Sequence, residues 1–376
     1  MSDSTRSRSV GIITYHYFHN YGAVLQAYAL SVAISKMGHQ CQVIDFRPEV
    51  DTSRSFVLPR NPLQLPNALL WLFFGRDHRL YNKRFEEFIS KYLPLTEQCY
   101  RSALALRENP PHFDTYVCGS DQIWHPLLLN REFGLPFLLD FVPAGSRRVA
   151  YAPSFGVSEI PEQYRAKMAE RLIRFDALSV RESVGQTIVR ELINRPAEHV
   201  LDPTLLLQAE DYYRIAVEPK NKKDFVLVYP MEFGKDNVFL RLVKMARAQL
   251  KLPFVFVFHG GYSNRWLSFA DQVRFDAGPR EFLGLLKQAS FVLTNSFHGT
   301  AFSILFGKPF LGAPHSATNA RISSLLELLE LGHRQLVYPE IIVEKPELLE
   351  KCDYSRAHQL LQIEVERSLE YLRNAL

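Results

Sequence analysis

The segment SFVLTNSFHGTAFSILFGKPF, residues 290–310, contains the pattern that decides the fold. Its apolar residues 291–293 predict a buried parallel strand. Thr294, Asn295 and Ser296 follow with capping oxygens, so the pattern predicts that a helix begins directly after the strand. In open α/β sheets, ligands bind at the carboxyl ends of such strands.

His298 and Gly299 make this junction a candidate functional site. His298 is predicted near the helix N-terminus, where unpaired backbone N–H groups attract anions. Gly299 lets the backbone come close to a ligand. Because imidazole titrates near neutral pH, a histidine beside an anion site indicates chemistry on a phosphate or carboxylate compound.

The composition is that of a globular protein long enough for two domains. The chain has 376 residues, 47% of them apolar and 22% charged, which excludes a disordered or fibrous chain. Its 44 basic residues are scattered among 40 acidic ones, with a formal charge of +4. No basic stripe stands out, so we expect no nucleic acid as a partner.

Cysteine usage and the first residues favour a cytoplasmic protein. Cys41, Cys99, Cys118 and Cys352 lie far apart without CxxC spacing, which argues against disulfides or structural zinc. The N-terminal MSDSTRSRS lacks the apolar core of a secretory signal. The longest apolar run, residues 68–74, is far shorter than the ~20 residues of a spanning helix.

Strands and helices alternate along both halves of the chain, which predicts α/β folding with two parallel sheets. Strands are predicted at residues 9–15, 42–46, 113–118, 148–152, 177–180, 224–229, 254–258 and 291–293. Helices are predicted at residues 23–37, 63–92, 161–174, 237–250 and 280–288. The GxGxxG and GxxxxGK patterns of dinucleotide and P-loop sites do not occur.

The predicted domains are residues 1–210, with a helical insertion at 54–100, and residues 211–354. The boundary falls near residues 208–224, which shift to a polar and charged composition. Residues 355–376 predict an amphipathic helix that crosses back to the first domain. Two such domains leave a cleft between their sheet ends, where pockets are common.

One segment of the insertion has two interpretations. LLWLFFGRDHR places three aromatic rings beside two arginines: Trp71, Phe73, Phe74, Arg76 and Arg79. This combination suits peripheral contact with the inner face of a membrane, or a lipid-linked substrate. Packing of the aromatic rings in the core is the competing explanation.

Polar residues also gather where predicted strands end. GSDQIWHP places Asp121, Gln122 and Trp124 together, and these suit a sugar, whose hydroxyls need hydrogen bonds and whose C–H face packs on aromatic rings. Alternatively, Asp121 caps a turn and Trp124 fills the core. Arg181 can hold a carboxylate or phosphate, or can pair with Glu182 or another acidic neighbour.

The loop HYFHNYG follows the first predicted strand at the same sheet edge. It contains His16, His19, Asn20 and Gly22. An HxxH pair without a third nearby ligand is a poor metal site, so we interpret both histidines as loop residues and expect no metal.

Seven spaced segments occur in the order known from one protein family. They are ITYHYFHNYGAVLQAYAL (13–30), GSDQIW (119–124), AYAPSFG (150–156), LSVRE (178–182), LDPTLLL (201–207), NSFHGTAFSILFGKPF (295–310) and RISSLLELLELG (321–332). From residue 10 to about 333, the chain resembles the polysaccharide pyruvyl transferases. The resemblance implies two Rossmann-like domains facing a cleft, as in GT-B glycosyltransferases.

The resemblance also implies a reaction. Phosphoenolpyruvate would be the donor, and a hydroxyl pair of a cell-surface polysaccharide or its lipid-linked precursor the acceptor. The products would be a cyclic pyruvate ketal and phosphate, formed without a cofactor. Since fold alone never determines the donor, a glycosyltransferase that uses a nucleotide sugar is a second hypothesis. A non-catalytic glycan-binding component is a third.

Site residues follow from the resemblance and from residue chemistry together. The predicted donor-binding residues are Arg181, Ser296, His298, Gly299, Thr300 and Arg321. Arg181 and the amides around Gly299 and Thr300 would hold the two anionic groups. His298 would protonate the methylene carbon of the donor, or would only stabilise the departing phosphate.

The predicted acceptor-binding residues are His16, Asn20, Gln26, Asp121, Gln122 and Trp124. Asp121 is the candidate base, and with His298 and Arg181 it completes the predicted catalytic set. Many relatives have Arg-Leu or Arg-Phe directly before the histidine, whereas this chain has Ser296-Phe297. The missing cation must therefore come from elsewhere, with Arg321 and Lys308 as candidates.

Overall fold

Two parallel five-stranded sheets, with helices packed around them, form the protein. The computed structural model describes residues 7–48, 65–220, 223–231, 237–259, 264–314 and 319–376. For residues 65–74, 264–265 and 319 the description is limited to the backbone.

The first sheet belongs to the N-terminal domain. Its strands are β1 Ser9–Ile13, β2 Gln40–Phe46, β3 Leu95–Tyr100, β4 Thr115–Cys118 and β5 Arg147–Ala150. They are parallel in the order β3-β2-β1-β4-β5. The short strands β6 Ser179–Val180 and β7 Glu198–His199 pair with each other beyond β5. The helices here are α1 Tyr21–Lys36, α2 Leu65–Tyr92, α3 Ala103–Glu108, α4 Glu162–Leu172 and α5 Ser183–Ile193.

The second sheet belongs to the C-terminal domain. Its strands are β8 Val226–Tyr229, β9 Phe254–Phe256, β10 Gln272–Val273, β11 Phe291–Thr294 and β12 Phe310–Leu311, in the parallel order β10-β9-β8-β11-β12. The remaining helices are α6 Ala209–Tyr213, α7 Val238–Gln249, α8 Asn264–Leu267, α9 Pro279–Gln288, α10 Phe297–Leu305, α11 Asn319–Leu328, α12 Ile341–Glu344 and α13 Ser355–Ala375. Single 3-10 turns occupy Pro126–Asn130, Glu132–Leu138, Pro203–Leu205, Gly332–Arg334 and Pro346–Leu349.

The central strands are apolar because helices cover both faces of each sheet. Every residue of β4, β8 and β11 is buried. The predicted strands lie where the structure has them, with ends that differ by up to two residues. The α/β prediction is confirmed.

The two domains share one apolar core, which brings α1 of the first against α9 and α10 of the second. The ring of Tyr21 stacks on Phe282 at 4.4 Å between centroids. Its hydroxyl donates to the carbonyl of Ala277 at 2.7 Å. The backbone of the next residue, Gly22, packs against the His298 ring, so the N-terminal turn of α1 lies beside that of α10, where the candidate site is.

The helix α13 contacts both domains. His358 Nε2 lies 2.8 Å from the carbonyl of Ile304 in the second domain. Farther along, the Tyr371 hydroxyl donates to the carbonyl of Ala150 in the first domain at 2.9 Å. The helix thus ties the two sheets together on the side away from the N-terminus of α10.

The membrane hypothesis is not tested by the structure. The side chains of Trp71, Phe73 and Phe74 lie outside the described part of the chain, while Arg76 and Arg79 are exposed. Within the described ranges, no helix is long and apolar enough to cross a membrane.

Candidate functional site

A cavity of about 500 Å³ opens between the carboxyl ends of the two sheets. The first domain contributes the loop after β1, part of α2, and the pair Asp121 and Gln122 after β4. The second domain contributes His259, residues 295–298 at the start of α10, and Arg321 of α11. Both predicted halves of the site therefore meet at one cavity.

His298 lies in the first turn of α10, as predicted. Ser296 caps this helix, since its hydroxyl oxygen accepts from the Gly299 N–H at 3.3 Å. The imidazole packs against the backbone of Gly22, leaving no room for a side chain there. Its Nε2 has no hydrogen-bond partner among the described residues and lies 3.7 Å from Asp202 Oδ2. The ring is thus held by packing, with one nitrogen uncommitted.

The free amides at this helix start are not the predicted ones. The Gly299 N–H is used by the Ser296 cap, and the Thr300 N–H donates to the Ser296 carbonyl at 3.0 Å. Both N–H groups are therefore already hydrogen-bonded, one by the cap and one by the first helical bond. The backbone N–H groups of Phe297 and His298 have no partner among described residues, so the amides free to bind an anion lie two residues earlier than expected.

Arg181 does not line the cavity, contrary to its predicted donor-binding role. Its side chain is 1% exposed, and Nη1 donates to Asp202 Oδ2 at 2.6 Å. Its guanidinium lies over the Phe297 ring, 4.6 Å from the centroid. Glu182, the suggested partner, instead accepts from Ser154. The interpretation that Arg181 pairs with an acidic neighbour is therefore correct: its main partner is Asp202, and its Nη2 also lies 3.9 Å from Asp121 Oδ1.

Asp202 is a site residue that the sequence analysis missed. Its buried carboxylate accepts from Ser120 Oγ at 2.7 Å and from both the N–H and the hydroxyl of Thr204. Burial tends to raise the pKa of Asp202, but His298, Arg181 and Thr204 together hold that pKa well below its usual value. In the sequence, Asp202 stands out only as a carboxylate within the otherwise apolar motif LDPTLLL.

Arg321 is the cation that reaches the cavity. It is 9% exposed and makes no hydrogen bond or ion pair with any described residue, and its Nε is a buried donor without a partner. Burial, and secondly the charge of Arg181, lower the pKa of Arg321 to about 10. Lys308, the other candidate, follows the opposite end of α10. Of the two candidate cations, Arg321 therefore lines the cavity, and Lys308 is not among the residues that line it.

Three predicted acceptor residues line the cavity: Asn20, Asp121 and Gln122. Asn20 caps α1, with its side-chain oxygen accepting from the Ala23 N–H at 3.2 Å. Asp121 has φ 75°, a conformation uncommon outside glycine, and its Oδ1 accepts from the Gln122 N–H at 2.8 Å. Strained backbone of this kind often occurs at functional sites.

The other three predicted acceptor residues are buried away from the cavity. His16 Nε2 lies 2.8 Å from Asp45 Oδ1, and Gln26 Nε2 donates to the hydroxyl of Thr14 at 2.8 Å. Trp124 packs against two phenylalanine rings, and its Nε1–H donates to a backbone carbonyl at 3.2 Å. Their nitrogen groups are paired within the first domain, whereas Gln26 Oε1 has no hydrogen-bond partner among the described residues. The core interpretation of Trp124 is correct.

Five other residues that line the cavity were not predicted: Tyr15 and Phe18 flank the predicted loop histidine His16, and the other three come from distant segments. These three are Tyr81, Asn82 and His259. Within the described ranges, no group of three imidazole, thiol or carboxylate side chains is placed to hold a metal ion.

Solved structures of low sequence identity share the fold. Arabidopsis thaliana UGT89C1 complexed with quercetin has a TM-score of 0.51 and 14% identity, covering 98% of this chain and 99% of that one. Methanocaldococcus jannaschii UDP-GlcNAc 2-epimerase in complex with UDP-GlcNAc and UDP has a TM-score of 0.50 and 14% identity, covering 94% and 98%. A putative UDP-N-acetylglucosamine 2-epimerase from Listeria monocytogenes has a TM-score of 0.51 and 12% identity, covering 98% and 96%. These similarities confirm the GT-B arrangement of two Rossmann-like domains facing a cleft.

The family comparison covers most of the chain. No curated protein matches the sequence. A family model described as polysaccharide pyruvyl transferase matches residues 20–316, a range that includes His298 and the residues around it. The chain therefore belongs to the polysaccharide pyruvyl transferase family.

Proposed function

We propose that the protein transfers the pyruvyl group of phosphoenolpyruvate to a hydroxyl pair of a saccharide, forming a cyclic ketal and releasing phosphate. The acceptor is a cell-surface polysaccharide or its lipid-linked precursor. The proposal rests on one observation: the buried guanidinium of Arg321 lines the cavity without a carboxylate partner among the described residues. A buried cation is costly unless an anion neutralises it, so this end of the cavity suits an anionic ligand.

Further donors lie at the same end of the cavity. The Asn295 side-chain amide is buried and its Nδ2 has no partner in the described structure. The free N–H groups of Phe297 and His298 add the anion preference of a helix N-terminus. Phosphoenolpyruvate has a carboxylate and a phosphate, and this set of donors can satisfy both without a metal ion.

Arg181 acts from behind the cavity in this proposal. Its Nη1 holds Asp202, whose carboxylate balances the positive charge that the His298 imidazole has when protonated. Its Nε and Nη2 have no hydrogen-bond partner among the described residues, and Nη2 lies 3.9 Å from Asp121 Oδ1, so its charge also contributes to the potential behind the Phe297 ring. Arg181 is therefore a positioning residue for His298.

The reaction needs one proton donor and one acceptor. His298 donates a proton to the methylene carbon of phosphoenolpyruvate, which makes the adjoining carbon an oxocarbenium-like centre. The first sugar hydroxyl forms a C–O bond to this carbon as it loses its proton. The bond from the carbon to the phosphate oxygen then breaks, and the second hydroxyl forms the second C–O bond. The proton of the first hydroxyl passes through Asp121 to the departing phosphate, and the proton of the second hydroxyl restores His298.

Two side chains have assigned roles in these steps. Asp121 lines the cavity and accepts the proton of the attacking hydroxyl. His298, when protonated, can also stabilise the phosphate as it departs, and this second role needs no proton transfer. The variant His298→Arg would separate the two roles, because arginine keeps the positive charge that stabilises phosphate but cannot act as the proton donor.

Phosphate release tests the proposal. The protein is incubated with phosphoenolpyruvate and a panel of saccharides, and we expect phosphate together with a saccharide whose mass has increased by the pyruvyl group. His298→Ala should reduce turnover to a small residual rate. His333→Ala, which removes an exposed histidine away from the cavity, should retain it.

Other outcomes would support the other two hypotheses. Binding of a uridine diphosphate sugar, but not phosphoenolpyruvate, in calorimetry would indicate a glycosyltransferase. Saccharide binding without turnover of any donor would indicate a glycan-binding component. Phosphate release that His298→Ala leaves unchanged would overturn the proposed role of this residue.

A further inference from the structure

The cavity has a second wall that differs in chemistry from the donor end. We call it the aromatic wall, and it consists of Tyr15, Phe18, Tyr81, Asn82 and His259. The rings of Tyr15 and Phe18 are half-buried and meet edge to face, with centroids 5.1 Å apart. The wall thus offers apolar ring surface together with amide, imidazole and hydroxyl groups.

The aromatic wall is uncharged near neutral pH. Burial lowers the pKa of His259 to about 4, against opposing effects of the His19 backbone and Asp121, so its imidazole is neutral. Burial raises the pKa of Tyr15 and of Tyr81 far above neutrality. Among the described residues that line the cavity, the cation Arg321 lies at the donor end and not on this wall.

Hydrogen bonds fix the polar groups of the wall. The His19 imidazole bridges two residues of α2, with Nδ1 2.9 Å from Asn82 Oδ1 and Nε2 2.8 Å from Glu86 Oε1. The Tyr81 hydroxyl donates to the His19 carbonyl and lies 3.5 Å from His259 Nδ1. Asn82 keeps its Nδ2 donor uncommitted to any described residue. A ligand at this wall would find pre-positioned donors and acceptors.

The wall is also close to the reacting group. The loop that contains Phe18 leads into Gly22, whose backbone packs against the His298 ring. Asp121, the assigned base, also lies near this wall. Burial is the main cause of the raised pKa of Tyr15, and the negative charge of Asp121 is the second. The aromatic wall thus lines the same cavity as His298 and Asp121.

We infer that the aromatic wall binds an uncharged pyranose ring of the acceptor and disfavours uronic acids and phosphorylated sugars. This inference rests on the proposed function. The C–H face of a neutral sugar packs on the aromatic rings, and its hydroxyls pair with Asn82 and His259. Among the described residues, the aromatic wall itself offers a sugar carboxylate no cation, since the neighbouring His19 imidazole is paired with Glu86. The sugar carboxylate would face the carboxylate of Asp121, where like charges repel.

Saturation-transfer NMR with two small glycosides tests the inference independently of turnover. We expect wild-type protein to bind methyl β-galactoside and to bind methyl β-glucuronide at least ~10-fold more weakly. Asn82→Ala should weaken binding of the neutral glycoside about 3- to 10-fold, as expected for one hydrogen bond. Asn109→Ala, which removes a surface amide bonded to Gln98, is the matched control and should change nothing.

Two further measurements keep the outcomes distinct. Asn82→Lys adds an ammonium to the wall and should reduce the preference for the neutral glycoside. A parallel calorimetric titration with phosphoenolpyruvate should be unaffected by Asn82→Ala, because that residue is not at the donor end. Equal or tighter binding of the glucuronide to wild type, or unchanged galactoside binding by Asn82→Ala, would overturn the inference. Failure of phosphoenolpyruvate to bind while the glycoside preference holds would overturn the proposed function alone.

Discussion

Replacement of Gly22 by alanine would test the position of His298 without altering the imidazole itself. A Cβ at Gly22 would overlap Nδ1, Cγ and Cε1 of His298, all well inside the 3.0 Å that a real Cβ keeps from its neighbours. The ring would have to move by about 1 Å or more, and a misplacement of ~1 Å can lower a rate about 10²-fold. We therefore expect phosphate release by Gly22→Ala to fall at least ~100-fold.

Protein stability should change much less than activity. Gly22 lies in α1, where alanine is favoured over glycine by about 0.5–1 kcal/mol. The overlap with His298 costs about 1–3 kcal/mol if the core absorbs it. The free energy of unfolding, measured in urea, should thus fall by ~2 kcal/mol or less. Gly332→Ala is the matched control, because a Cβ there meets nothing within 4 Å.

A double variant tests whether Gly22→Ala and His298→Ala both act through the His298 imidazole. Gly22→Ala in the His298→Ala background should release phosphate at the same rate as His298→Ala alone, because effects of residues that act as a unit do not add. Full activity of Gly22→Ala, or a further loss in the double variant, would refute the claim that the imidazole position governs the reaction.

Three further predictions concern stability. Asp202→Asn should lower the free energy of unfolding in urea by about 3–5 kcal/mol, because the buried Arg181 loses its carboxylate, and a loss under ~1 kcal/mol would contradict the buried pair. Burial tends to raise the pKa of Asp45, but bonds from His16 and a neighbouring arginine lower it from 3.8 to about 2. Its contribution to stability is therefore present above pH 3.8 and lost as the pH falls through about 2, so the difference in unfolding free energy between wild type and Asp45→Asn should shrink over this range. A difference that stays constant with pH would count against this interpretation. Trp124→Phe should lower the free energy of unfolding by about 1–3 kcal/mol, because the indole hydrogen bond is lost. It should leave the KM for the saccharide unchanged, and a raised KM would show that Trp124 binds the acceptor after all.

Most of the fold was predictable because its signals are local. The apolar run before His298 and the capping Ser296 identified β11 and α10 from adjacent residues alone. The edge strand β3, LTEQCY, was missed because only part of it is buried and it has no apolar run. Short strands such as β10 and β12 have too few residues for any periodicity to show.

The site was less predictable because its contacts join distant segments. Arg181 was correctly placed at a strand end, but its partner Asp202 lies 21 residues farther along the chain. The direction of the Trp124 ring depends on a turn in which Asp121 has a positive φ, and composition does not show this. His259 and Tyr81 meet across 178 residues, so only the folded chain reveals the aromatic wall.

Calorimetric titration with phosphoenolpyruvate tests the central claim most directly. Wild-type protein should bind it, and Arg321→Met should weaken binding about 10- to 100-fold, the range expected for a lost hydrogen bond to a charged group. Arg356→Met, which removes an exposed arginine paired with Glu330, should bind as wild type does. No binding to wild-type protein, or equal affinity in Arg321→Met, would contradict the account.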